Sequence, residues 1–208
     1  MKFDTIIRNG TIVTATDIFK GDIGIKDGKI NKIGMALEEE GEKIIDAKGK
    51  YIFPGGIDPH THLDMPFGGT FSSDNFETGT IAAACGGTTT IVDFAVQPKD
   101  KNLKETAKIW REKSYGKAVI DYGIHMNITH IDDDILNEIP FMINEGYPSF
   151  KVFMTYKGMR VDDGTLFKTL KKVSENGGLT CVHAENFHII ECNVERLLKE
   201  GKTAPKYH

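Results

Sequence analysis

The chain of 208 residues carries 26 Lys and Arg against 30 Asp and Glu, a formal net charge of −4, with 39% hydrophobic residues. That balance suits a folded chain with a real core and excludes non-specific nucleic-acid binding, which needs clustered positive charge. No apolar run approaches the ~18 residues of a membrane span, no basic-then-apolar leader opens the chain, and three cysteines without a CxxC pair fit reduced thiols and a cytoplasmic location.

The first segment reads as all-β. Asn9-Gly10 lies between two β-rich runs over residues 3–14, which predicts a hairpin turn there, because both turn positions need positive φ. A second hairpin is predicted at Asp27-Gly28, joining Asp22–Lys26 to Lys29–Gly34. Further strands are expected at Lys43–Asp46 and Lys50–Phe53. Residues 1–52 form the first predicted domain.

From residue 53 to 208 the texture changes. Short apolar runs at Gly56–His62, Thr88–Ala95, Ile120–Ile128, Ser149–Met154 and Leu179–Ala184 alternate with helical patterns. Leu103, Ala107 and Trp110 recur at helical spacing, as do Ile135, Ile139 and Met142, then Leu166, Leu170 and Val173, and then Phe187, Ile190, Val194 and Leu197. Pro140 inside the second of these predicts a kink or a split, and Gly177 is the expected C-terminal stop of the third. Alternation of this kind predicts βαβ units and a parallel sheet. Five strands satisfy an open doubly wound sheet, whereas a (β/α)8 barrel needs eight and typically ~250 residues.

Glycine is over-represented, with 22 in the chain against about 7% in average usage. Seven of these, Gly55, Gly56, Gly68, Gly69, Gly79, Gly86 and Gly87, cluster around one motif, Pro54-Gly-Gly-Ile-Asp-Pro-His-Thr-His62. Side chains alternate along a strand, so His60 and His62 share a face and can clasp one divalent ion. A bare HxH is read equally well as two histidines at a polar strand end without metal; the Gly and Pro before it favour the metal reading.

Lys151 lies in the apolar run Phe150-Lys151-Val152-Phe153-Met154. Burying an unpaired ammonium is costly. An edge strand or a snorkelling side chain would avoid that cost. Reaction of the amine with CO2 would turn it into a carbamate whose two oxygens can bridge two metals ~3.5–4 Å apart. His183 ends the fifth predicted strand. His60, His62, Lys151 and His183 all sit at or near carboxyl ends of predicted strands, where active sites of parallel α/β folds are built.

Other candidates read as structural. His125 is a packing histidine in mid-strand. His130, His188 and His208 are solvated, and Lys168, Lys171 and Lys172 are the wet face of a helix. Cys85 is a small buried residue, and Cys181, of the same parity as His183, is assigned to packing.

Four stretches resemble the hydantoinase/dihydropyrimidinase family of cyclic amidohydrolases, in the amidohydrolase superfamily. They are Gly55–Thr70, Ala84–Thr89, Ser149–Lys157 and His183-Ala184-Glu185-Asn186. The resemblance implies a metal-dependent (β/α)8 barrel, of which this chain holds five βα units, plus part of a small N-terminal β-sandwich. It implies two divalent ions, usually zinc, with His60 and His62 on the more buried one, His183 on the second, and a CO2-derived carbamate on Lys151 bridging both. Tyr156 would donate a hydrogen bond to the substrate carbonyl, and Met65, Phe67, Phe153 and Tyr156 would contact the substrate's substituent. A hydroxide between the metals would open a hydantoin or dihydropyrimidine ring to an N-carbamoyl amino acid. The full-length family member is expected to be a homo-oligomer, tetramer or dimer, acting on a small cyclic ureide, with no nucleic-acid or membrane partner.

Phe187 departs from the family, which often has glycine there; the change is assigned to helix packing. The family's fourth metal histidine and its strand-eight aspartate would fall beyond position 208. The chain is therefore expected to be the first part of such an enzyme, inactive alone and prone to associate. The alternatives are a non-catalytic scaffold of the same fold, or an allantoinase or dihydroorotase.

Overall fold

The computed structural model describes residues 2–67 and 69–207. Gly68 of the glycine-rich stretch and the terminal His208 lie outside the described residues. The chain forms two compact units that divide between Gly55 and Gly56.

The first unit is a five-stranded mixed sheet: β1 (Phe3–Val13), β2 (Ile18–Lys26), β3 (Lys29–Gly34), β4 (Gly41–Asp46) and β5 (Tyr51–Ile52). The order is β3-β2-β1-β4, with the short β5 also on β1. The turn at Asp27-Gly28 forms as expected, with φ of +51° and +71°. The turn expected at Asn9-Gly10 does not. β1 runs straight through it, and Asn9 spends its φ of +63° on a register shift between Ile7 and Gly10. Two side chains stabilise that bulge. The Asn9 N–H donates to Asp22 Oδ1 at 2.8 Å, and Asn9 Nδ2 donates to Asp46 Oδ1 at 2.9 Å. The left-handed residue thus twists one strand and leaves the pairing with β2 intact. Phe3, Ile6 and Leu37 form this unit's buried cluster.

The second unit is built on five parallel strands: β6 (Gly56–Thr61), β9 (Thr88–Val96), β10 (Asp121–Asn127), β11 (Ser149–Phe153) and β12 (Leu179–His183). A two-stranded ribbon, β7 (Pro66–Phe67) and β8 (Thr70–Phe71), follows β6. Helices α1 (Phe76–Cys85), α2 (Leu103–Ser114), α3 (Asp133–Asn144), α4 (Asp163–Glu175) and α5 (Phe187–Lys199) follow β6/β8, β9, β10, β11 and β12 in turn. Each helix begins at an Asn or Asp whose side chain accepts from its first-turn N–H groups: Asn75, Asn102, Asp132, Asp162 and Asn186. α4 stops where expected, with Gly177 at φ +75° just beyond its C-cap Asn176. Pro140 does not split α3, which spans Asp133–Asn144. Ile139 and Met142, buried on either side of it, hold the helix together through tertiary packing.

Strand order decides between the two expected architectures. The sheet reads β6-β9-β10-β11-β12, each strand beside its predecessor in sequence. A doubly wound sheet reverses order at a switch point, whereas a barrel does not. The unit is therefore a partial α/β barrel. Its main core lies between sheet and helices, where Ile91, Met126 and Phe150 of the strands meet Trp110, Ile139 and Val173 of α2, α3 and α4. Residues of the opposite parity on the same strands face the site.

Cys85 corrects an expectation, since it is exposed at the end of α1 and not buried. Cys181 is half-buried.

Candidate active site

The alternation that buries Ile91, Met126 and Phe150 sends Phe94, His125 and Lys151 to the other face of the sheet. Phe94, 3% exposed, is its floor. The rings of His60, His62 and His125 lie 4.6, 5.1 and 4.6 Å from the Phe94 ring, centroid to centroid. His60 and His62 are 5.1 Å apart and nearly perpendicular, so the motif does place both imidazoles on one face. Burial, then the neighbouring His60 and the Lys151 charge, holds the His62 imidazole below its ordinary pKa. That favours the neutral form, the one that ligates metal.

Lys151 is 8% exposed. Its Nζ lies 5.0 Å from the Phe153 ring centre and 6.0 Å from that of Phe94, and among the described residues it has no carboxylate within 4.0 Å. The edge-strand escape does not apply, because β11 pairs with both β10 and β12. Beside it, Asn127 is buried with its Oδ1 lacking a hydrogen-bond partner among the described residues. Register sets Asn127 against Lys151.

A second group surrounds His183. Phe153 is its register partner and stacks on it at 5.6 Å and 25°. The Tyr156 ring is 4.9 Å from the His183 ring and 5.6 Å from that of Phe153. His183 Nε2 and Glu185 Oε2 are 2.5 Å apart. Lys151, against the Phe153 ring, joins the two groups. The fit to a pair of divalent ions rests on donor chemistry: one imidazole on β6 and one just past its end, a third on β12, and between them a buried amine with no counter-ion among the described residues. Among the described residues no three His, Cys, Asp or Glu side chains converge on one point. The His60–His62 pair stands at the end of β6 at one side of the sheet and His183 on β12 at the other.

The substrate-loop candidates divide. Phe153 and Tyr156 belong to the His183 group. Met65 is half-buried and Phe67, on β7, is 63% exposed; neither stacks on these rings. Phe187 is more than helix packing, for the Arg160 guanidinium lies 4.2 Å from its ring centre.

Three residues in or behind the site carry no such pattern. Phe94 is on the site face of β9, Asp93 is on the helix-facing side of the same strand, and His125, for which the sequence predicts packing, has both ring nitrogens engaged. Nε2 is 2.9 Å from the Pro59 carbonyl oxygen and Nδ1 is 2.7 Å from Ser149 Oγ. The available signal was an acidic residue inside the apolar run Ile91-Val-Asp-Phe-Ala95.

Comparison with known proteins is consistent over the whole chain. Residues 51–134 match the amidohydrolase family and residues 1–48 the N-terminal domain of the urease alpha-subunit. The D-hydantoinase of Geobacillus stearothermophilus is 57% identical over 205 residues, covering 98% of this chain and 44% of the relative. That of Streptomyces coelicolor is 45% identical, covering 100% of this chain and 46% of the relative. The crystal structure of dihydropyrimidinase from Brevibacillus agri superposes with a TM-score of 0.92 at 51% identity, over 98% of this chain and 45% of that one. The chain thus spans less than half the length of the relatives it matches. Over that span it belongs to the hydantoinase/dihydropyrimidinase family of the amidohydrolase superfamily.

Proposed function

We propose that this member of the hydantoinase/dihydropyrimidinase family carries part of a metal-dependent site that hydrolyses the cyclic amide bond of hydantoins or dihydropyrimidines to N-carbamoyl amino acids. The observation that carries it is Lys151, a buried amine that has no carboxylate within 4.0 Å among the described residues and lies between His60–His62 and His183. On this reading His60 and His62 would hold one divalent ion, zinc by likeness, and His183 a second. Lys151, as its CO2-derived carbamate, would be a ligand between them, and carbamylation would remove the cost of the buried ammonium. Bound there, the ions would supply Lewis acidity and a lowered pKa for water. Tyr156 would donate its phenol O–H to the substrate carbonyl oxygen as negative charge develops on it. Phe153, and from the β6–α1 loop Met65 and Phe67, would contact the ring's substituent. Water would add its oxygen to the amide carbonyl carbon, the ring C–N bond would break with its electron pair going to nitrogen, and a proton from that water would end on the leaving nitrogen, giving the carboxylate of an N-carbamoyl amino acid.

In the same reading the five βα units are five of the eight in a closed barrel, and the first sheet is one layer of a β-sandwich. The remaining ligands and the oligomer, dimer or tetramer, belong to the full-length protein.

Turnover by the full-length protein of 5-substituted hydantoins, dihydrouracil, allantoin and dihydroorotate, with metal analysis, tests this. We expect about two metals per chain and hydrolysis of hydantoins or dihydrouracil. A full-length protein with no metal would end the hydrolase reading, and turnover of allantoin or dihydroorotate alone would move the substrate assignment.

A further inference from the structure

The 59–63 segment carries both histidines of the HxH motif, yet it pairs poorly with its neighbour. Register between β6 and β9 shifts between Asp58 and Thr61, and Pro59 has no N–H to contribute. Side chains take over where the ladder lapses. Asp93 Oδ2 accepts from the Leu63 N–H at 2.7 Å and from the Thr61 hydroxyl at 3.0 Å, one on each side of His62. Its Oδ1 accepts from Trp110 Nε1 at 3.1 Å. From the opposite face, His125 engages the Pro59 carbonyl, next to His60, at 2.9 Å. That oxygen can only accept, so Nε2 carries the proton and Nδ1 accepts from the Ser149 hydroxyl.

Neither residue is what its place in the fold calls for. Asp93 is 0% exposed and, among the described residues, forms no ion pair. An apolar side chain would fill the sheet–helix layer without the cost of a buried carboxylate. His125, 9% exposed, sits in mid-strand and reaches across to β6. What the two share is the segment they hold.

We propose that Asp93 and His125 are positioning residues that clamp the 59–63 backbone from its two faces, so that His60 and His62 are presented together to one cation. Preorganised donors spend no binding energy on ordering themselves, and residues that orient ligands typically control metal affinity by ~10–100-fold. The proposal rests on the metal reading above.

The test is zinc affinity, by competition with a chromophoric chelator, in the full-length protein, together with urea unfolding of the metal-free form. Asp93→Leu, which removes both acceptor oxygens, and His125→Leu are expected to weaken zinc binding at least ~10-fold. His125→Gln keeps a donor for the Pro59 carbonyl and is expected to restore most of that loss. Trp110→Phe, which removes a bond to Asp93 but none to the segment, is expected to lower the urea midpoint while leaving zinc affinity within ~3-fold. If Asp93→Leu does not fold, Thr61→Val removes one of its bonds alone and is expected to weaken zinc binding by a few-fold. Variants that bind zinc as the wild type does would overturn the clamp and leave the metal reading standing. So would equal losses in His125→Gln and His125→Leu. Wild-type protein that binds no zinc would overturn both.

Discussion

The Tyr156 ring packs 4.9 Å from the His183 ring while the Tyr156 backbone holds φ +70°. A left-handed conformation costs a non-glycine residue about 1–2 kcal/mol. It persists because the Tyr156 carbonyl accepts from the N–H groups of Met159 and Arg160, both at 3.0 Å. The turn thereby carries the phenol past the end of β11 to the histidine side of the site. Glycine would adopt this backbone without strain, whereas tyrosine holds it at that cost.

Tyr156→Phe keeps the ring and the turn and removes only the hydroxyl. In the full-length protein kcat is expected to fall ~10²-fold or more with a smaller change in KM, the pattern of a donor used mainly in the transition state. Steady-state kinetics on a 5-substituted hydantoin checks this, and an unchanged kcat would remove Tyr156 from the chemistry.

Burial pushes the Asp93 carboxyl up to about 6, and the bonds from Leu63, Trp110 and Thr61 offset only part of that rise. A carboxyl whose pKa is higher folded than unfolded favours folding when protonated. Its contribution is complete below about pH 4 and is lost as pH rises through about 6, some 3 kcal/mol in all at ~1.4 per unit. Urea unfolding of wild type and Asp93→Asn across about pH 4 to 7 should therefore show the wild type losing ground by that order as pH rises. A difference that stays flat with pH would mean Asp93 is not titrating in the folded state.

Gly79 of α1 faces Leu63, the residue after His62, and a Cβ there would overlap the Leu63 Cδ2. Gly79→Ala gains about 1 kcal/mol of helix propensity but overpacks a buried leucine, which typically costs 1–3 kcal/mol. Because Leu63 is also tied through its N–H to Asp93, it has little room to yield. A net loss of about 1 kcal/mol in urea unfolding is expected, and a stabilised variant would show that the loop moves freely.

Among the described residues β6 and β12 each pair along one side only, and α5 exposes Ile189 at 60% and Leu198 at 59%. An open edge beside an apolar face is a template for association. The 208-residue chain is expected to elute above its monomer mass of 23.1 kDa, and Ile189→Lys with Leu198→Lys to reduce that. Light scattering on a size-exclusion column checks both; a monomeric wild-type chain would contradict the expectation.

Much of this protein is written in local signals. Alternating apolar runs located all five parallel strands, Asp27-Gly28 located its turn, and the HxH and Lys151 motifs located the candidate ligands, because each depends on residues a few positions apart. Asn9-Gly10 shows the limit of such signals. Positive φ serves a turn or a bulge equally well, and only Asp22 and Asp46, distant in sequence, select the bulge. The choice between barrel and doubly wound sheet was likewise tertiary, since five βα units are compatible with either and only strand order separates them. Asp93 and His125 belong to the same class. One reads as an oddity in a strand and the other as core, until folding sets both against the 59–63 backbone. Sequence pattern determines which face a residue occupies; what stands opposite that face is decided by the packing of segments far apart in the chain.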